Sequence, residues 1–157
     1  MSMAQRHDEL LTVGWREWVS LPELGIPAIK AKIDTGAKTS ALHAHRLAVF
    51  EDHGQTMVRF AIRPLRKRRR LEIECVARVA DRRLVRDSGG HSEHRYVIVT
   101  PVRVGQIEWP IEITLTSRDT MLFRFLLGRT AMRRRMLIDP EASYVLGKTL
   151  AKSYPRR

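Results

Sequence analysis

Cysteine is almost absent: Cys75 is the only one in 157 residues, so no internal disulfide can form. Long apolar runs are absent too. None approaches the ~18–20 residues that a membrane helix needs. The stretch from Met1 to Leu11 is polar and lacks the apolar core of a secretory leader. Together these absences predict a cytoplasmic protein with no membrane partner. Aromatic residues make up only 6%, too few for a base-stacking platform. There is no Gly-rich phosphate loop, so ATP binding by this chain is not expected. Repeats and Gly/Ser linkers are also missing. The expected organisation is a loosely ordered N-terminus (1–12), one domain (13–150) and a basic tail (151–157). Acidic side chains are scarce: 17 against 29 Lys and Arg, for a net charge of +12. Such a field attracts polyanions, whether nucleic acid, acidic peptide or anionic lipid, and it also serves solubility.

What is present reads as short strands. Hydrophobic residues make up 43%, a globular composition. Ile107 to Leu115 alternates apolar and polar residues, with Pro110 pointing to an edge position. Ile29 to Ile33 alternates in the same way. Met57 to Ile62 and Tyr96 to Val104 are rich in β-branched residues, and Gly105 makes a turn. Leu71 to Ala77 alternates around Cys75, which predicts a small buried thiol. The apolar run Met121 to Leu127 predicts a buried strand, and Thr130 to Met136 one short helix that ends before Asp139-Pro140. Six to eight strands with frequent turns predict a mainly β fold, a barrel or sandwich. Trp15, Trp18 and Trp109 read as packing residues.

Two segments read as loops. Arg63 to Arg70 packs six cations into eight positions, so it must be exposed. It suits phosphate contact and a solvated hairpin tip equally well. Arg86 to Arg95 holds Gly89-Gly90 between two strand-like runs and suits a mobile hairpin.

The sharpest local signal is Ile33-Asp34-Thr35-Gly36-Ala37-Lys38-Thr39-Ser40. A carboxylate ends an apolar strand and enters a turn of small residues. Gly36 is expected to bend the backbone at positive φ, and Thr35, Thr39 and Ser40 to hydrogen-bond nearby. Alone, the tripeptide fits an ordinary Asp turn equally well. About ninety positions later comes Phe125-Leu126-Leu127-Gly128-Arg129. This pair of signatures resembles the retropepsins. With Val13 to Trp18, Leu21-Pro22, Ala31 to Ala37, Thr39 to His43 and Ser88-Gly89-Gly90, the chain looks more specifically like the bacterial RimB-like family. That family carries the label ATP-dependent zinc protease and is associated with ATP-grasp ligases that add glutamates to a ribosomal protein.

The resemblance implies a retropepsin-like acid-protease barrel with one short C-terminal helix. Asp34 would be the catalytic acid/base, with Thr35 and Gly36 shaping its loop. Thr39, Leu126, Leu127 and Gly128 would support the site, and Arg129 would anchor it through a salt bridge. Ala37, Lys38 and the flap-like hairpin residues Arg86, Ser88, Gly89, Gly90 and Arg95 would contact substrate. Acid-protease chemistry takes two carboxylates that share one proton. A homodimer would supply the second from its own Asp34. Asp87, Asp119 and Asp139 are candidates within the chain, none with the turn signature. Viral retropepsins carry an acidic residue where this chain has Lys38, which leaves the partner of Arg129 open. A cation there favours an acidic peptide or glutamylated protein, such as the oligoglutamate tail of a ribosomal protein.

Two other readings stay in play. The family label implies zinc, for which His43 and His45 are weak candidates, with His91 and His94 the other cluster. Zinc wants three or four ligands, and no His-Glu-x-x-His helix or Cys pair is present. The expectation is therefore no cofactor, with His43 packed near the Asp34 turn. The second reading is a non-catalytic ribosome- or RNA-binding β module. Arg63 to Arg70, Arg133-Arg134-Arg135 and the C-terminal tail would be its phosphate contacts.

Overall fold

A computed structural model describes residues 10–86, 89–118 and 121–155. The described chain is mainly β, with twelve strands. They are β1 (Leu11–Val13), β2 (Arg16–Leu21), β3 (Ile26–Ile33), β4 (Ser40–His43), β5 (His45–Asp52) and β6 (Gln55–Ile62), followed by β7 (Ile73–Arg78), β8 (Asp81–Arg86), β9 (Ser92–Val104), β10 (Ile107–Thr116), β11 (Phe125–Leu127) and β12 (Met136–Ile138). Among the described residues the one α-helix is α1 (Arg129–Met132), and 3-10 turns span Pro22–Leu24 and Thr149–Lys152. The strand count exceeds the expected six to eight. The three-residue strands β1, β11 and β12 are too short to show a period.

Alternation sets the faces. Along β3, Ile29, Ala31 and Ile33 are buried while Lys30 and Lys32 are exposed. Seven strands form one sheet in the order β10-β4-β11-β3-β2-β9-β8, and β9 also pairs with β10. β5, β6 and β7 make a separate antiparallel sheet, and β1 pairs with β12 in parallel. Val58, Phe60 and Ile62 on β6 join one core with Ile29, Leu42 and Ile98 of the large sheet. Each such burial contributes about 1.5–3 kcal/mol.

The expected barrel is not closed. β9 meets β2 through a single pair, Ser20 opposite Arg103, beside an irregularity in β2 between Val19 and Leu21. Pro110 lies opposite Pro101, in the half of β10 that has no second neighbour, where a missing N–H costs nothing.

Three other expectations need correction. The helix stops at Met132, since Arg134 adopts φ +63° and Met136 enters β12. In Met121 to Leu127 only Phe125–Leu127 is strand, and Leu122 is 60% exposed. Leu11 and Thr12, placed in the loose N-terminus by the sequence, pair with Met136 and Leu137. At the other end, the Tyr154 hydroxyl donates to the Ala28 carbonyl and holds the tail against β3.

Cys75 is buried as expected, and its thiol contacts the Leu24 carbonyl at 3.3 Å. Burial pushes the thiol up to about 12. No helix among the described residues is long and apolar enough to cross a membrane.

Candidate active site

Asp34 directly follows β3. The parallel pairing of β3 with β11 sets Ile33 beside Leu127. The Asp34 N–H donates to the Leu127 carbonyl at 2.9 Å, and its Oδ1 accepts the Gly36 N–H at 3.0 Å. The Ala37 N–H reaches back to the Asp34 carbonyl at 3.3 Å. The carboxylate is thus fixed at a turn and remains half-buried, while Thr35 and Gly36 are exposed.

The two glycines act through space rather than through φ. Gly36 is not among the positive-φ residues, contrary to the sequence expectation. Instead, a Cβ there would lie 3.2 Å from Asp34 Oδ1, so the glycine leaves room for the carboxylate. Gly128 is tighter: its Cβ would sit 2.6 Å from the Thr39 carbonyl carbon. Its N–H donates to Ser40 Oγ at 3.0 Å, so Ser40 accepts at that contact.

The junction of β11 and α1 clamps the other side of the turn. Arg129 N–H donates to the Ala37 carbonyl at 2.8 Å, and Thr130 N–H to the Lys38 carbonyl at 3.0 Å. Arg129 Nη1 donates to the Thr35 carbonyl at 2.8 Å. This settles the partner left open by Lys38: Arg129 holds the turn by a hydrogen bond to backbone, and the expected salt bridge is not formed among the described residues. Leu127 is fully buried below, Leu126 is half-buried, and Trp109 Nε1 ties α1 to β10 through the Ala131 carbonyl. Ala37 and Thr39 are half-buried, and Lys38 presents its side chain to solvent.

β8 and β9 form an antiparallel pair where the hairpin is expected. The pairing runs from Asp81–Val97 to Arg86–Ser92, and Gly90 takes φ +83° at the tip. Arg86, Gly89 and Gly90 are exposed, whereas Ser88 and Asp87 lie outside the described residues. Arg95 is buried, unlike the exposed hairpin residue Arg86. It is 8% exposed, its Nε donates to Glu93 Oε1 at 2.5 Å, and it approaches Thr114 Oγ1 at 3.4 Å. Burial pushes the Glu93 carboxyl up, but bonds from Thr116 and Arg95 outweigh it and hold the group below its ordinary value. Arg95 therefore braces the hairpin against β10.

Of the other acids, Asp139 caps a turn by accepting the Glu141 N–H at 3.0 Å, and Asp119 lies outside the described residues. Among the described residues the zinc candidates His43 and His45 have no third ligand beside them. His43 is buried and its Nδ1 accepts the Arg118 N–H at 2.9 Å, which commits one ring nitrogen. The His45 ring packs edge-on at 4.4 Å. No group of three or more His, Cys, Asp or Glu is placed to hold an ion among the described residues.

Sequence reasoning missed Glu17. It is fully buried and accepts N–H groups from Gly14 (2.7 Å), Val145 (2.9 Å) and Leu146 (3.1 Å). The signal was its parity: Glu17 shares a face with Val19 and Leu21, where alternation calls for an apolar residue.

Comparison with known proteins accords with this geometry. A protein from Desulfotalea psychrophila named probable alpha-L-glutamate ligase is 47% identical over 92% of this chain, which spans 32% of that protein. A protein of the same name from Shewanella pealeana is 43% identical over 90% of this chain and 31% of its own length. The chain therefore spans about a third of the length of the curated relatives it matches. The crystal structure of a Legionella pneumophila protein of unknown function shares the fold, with a TM-score of 0.71 at 24% identity, over 86% of this chain and 97% of that one. The model of the RimB-like family, described as retropepsin-like aspartic endopeptidase RimB, matches residues 12–149, and the chain belongs to that family.

Proposed function

We propose that this chain is an aspartic-type peptidase that hydrolyses amide bonds in acidic peptides, with Asp34 as the activating carboxylate. The supporting observation is the clamped turn. Backbone from β3, β11 and α1 fixes a half-buried carboxylate at the end of a strand, open on one side. Family membership supports the reaction class. The ligase in the relatives' names belongs to proteins about three times this length.

In the proposed reaction Asp34 of each of two copies contributes one carboxylate, and the pair shares a proton. The ionised member takes a proton from water, whose oxygen attacks the scissile carbonyl. The protonated member gives its proton to the carbonyl oxygen. Collapse breaks the C–N bond, and the amine leaves with a proton returned from the pair. Lys38, exposed beside the turn, favours acidic substrates by charge. Oligoglutamate tails, of a ribosomal protein among others, are the proposed substrate class, and the cytoplasm the proposed setting.

The test is mass-spectrometric product analysis. Wild type and Asp34→Asn are each incubated with an oligoglutamate-tailed peptide, with and without chelator. Cleavage by wild type alone, indifferent to chelator, is expected. Loss of cleavage with chelator would move the chemistry to a metal. No cleavage by a verified dimer would leave the binding-module reading in its place.

A further inference from the structure

The basic run between β6 and β7 is not a free hairpin tip. Turns closed by Arg68 N–H to the Leu65 carbonyl and Leu71 N–H to the Arg68 carbonyl fold it back. Arg68 Nη1 then bonds the Pro155 carbonyl at 2.8 Å. The result is a groove of about 460 Å³ against the outer side of β2 and β3. Six cations line it: Arg16, Lys30, Arg66, Lys67, Arg68 and Arg124. Among the described residues no acidic side chain does. Trp18 and Phe123 give it apolar wall, and Lys30 Nζ lies 5.6 Å from the Trp18 ring centroid.

We infer that this groove is an anchoring site for carboxylates of an acidic peptide chain, apart from the bond-breaking site. Charge complementarity carries the class of ligand: cations held over apolar wall attract anions more strongly than freely solvated ones. Position carries the choice of peptide over nucleic acid. Lys30 and Asp34 belong to one strand and its end, four residues apart, or about 13 Å at ~3.3 Å per residue. Phe123 and Arg124 immediately precede β11, whose Leu127 carbonyl holds Asp34. An extended tail lying in the groove therefore reaches the Asp34 turn within a few residues. The site favours substrates with several acidic residues to one side of the cut. This rests on the hydrolytic reading for the identity of the ligand.

The test is fluorescence-anisotropy binding of a labelled oligoglutamate peptide to the Asp34→Asn protein at low ionic strength. Lys30→Glu/Arg66→Glu is expected to weaken binding roughly tenfold, and the exposed control pair Arg59→Glu/Arg78→Glu less than about twofold. Arg66→Ala, a change confined to the loop, gives the same direction should the double variant not fold. Equal losses in groove and control variants would reduce the effect to bulk charge and overturn the site. Tighter binding of a single-stranded oligonucleotide, lost in the same groove variants, would overturn it in favour of nucleic acid. The two readings fail separately. Binding without cleavage by wild type sinks hydrolysis alone, and cleavage of long tails with unchanged KM in the groove variants sinks the groove alone.

Discussion

Two carboxylates sit on neighbouring strands and are treated in opposite ways. Glu17 on β2 is sealed and surrounded by three backbone N–H donors from Gly14, Val145 and Leu146. Asp34 at the end of β3 is half-buried and accepts one N–H, from Gly36. The first has spent its acceptors on holding backbone. The second keeps an oxygen for something else. A charged oxygen that is positioned but not saturated is what general acid/base chemistry requires.

The largest effect that would separate them is on turnover. Asp34→Asn should lower hydrolysis of an oligoglutamate peptide by about 10³-fold, within the range for loss of a general acid/base, and leave the melting temperature nearly unchanged. A comparable loss of stability would make Asp34 a second Glu17. Glu17→Ala should do the reverse, lowering unfolding free energy in urea by about 3 kcal/mol or more through stranded buried N–H groups. Full stability in that variant would show that water replaces the carboxylate.

Gly128→Ala tests the clamp beneath Asp34. A Cβ 2.6 Å from the Thr39 carbonyl carbon must move the turn, at a cost of about 1–3 kcal/mol. Turnover should fall by more than the fraction unfolded explains, as measured on folded protein at low temperature. Lys38→Glu should raise KM severalfold for glutamate tails and leave neutral peptides little changed; equal loss on both would remove Lys38 from substrate choice.

The smallest effect concerns Glu72, a half-buried structural carboxylate. Hydrogen bonds from Arg46 and then Arg63 hold its carboxyl at about 2, below the ordinary 4.5. Because the folded value is depressed, its stabilisation is present above 4.5 and lost as pH falls from there toward 2. Wild type and Glu72→Gln should converge in stability across that window. A constant gap would mean that packing, not charge, is responsible.

Much of this molecule was legible in the residues. Alternation in Ile29 to Ile33 and Ile107 to Leu115 located β3 and β10, and the Asp-Thr-Gly and Leu-Leu-Gly-Arg segments do meet. What was not legible depended on neighbours distant in sequence. Met121 to Leu127 is apolar but for Arg124, yet only its end finds strand partners. Arg129 reads as half of an ion pair, but the atom that meets it is a carbonyl, which no sequence spells. Arg95 and Arg86 look alike in a basic hairpin, and only Glu93 and Thr114 decide that one turns inward. The groove needed the basic run to fold back onto β2 and β3, a contact without periodic signature.

The Glu17 staple also orders events in time. Its bonds to Val145 and Leu146 span 128 and 129 positions, and Arg129 reaches Thr35 across 94. Contacts of such separation form late, after loop closure has been paid for in entropy. During synthesis, β2 and β3 emerge long before the segments that seal Glu17 and brace Asp34. A nascent chain thus carries Asp34 on an unbraced strand end until nearly all of residues 11–146 are free to fold.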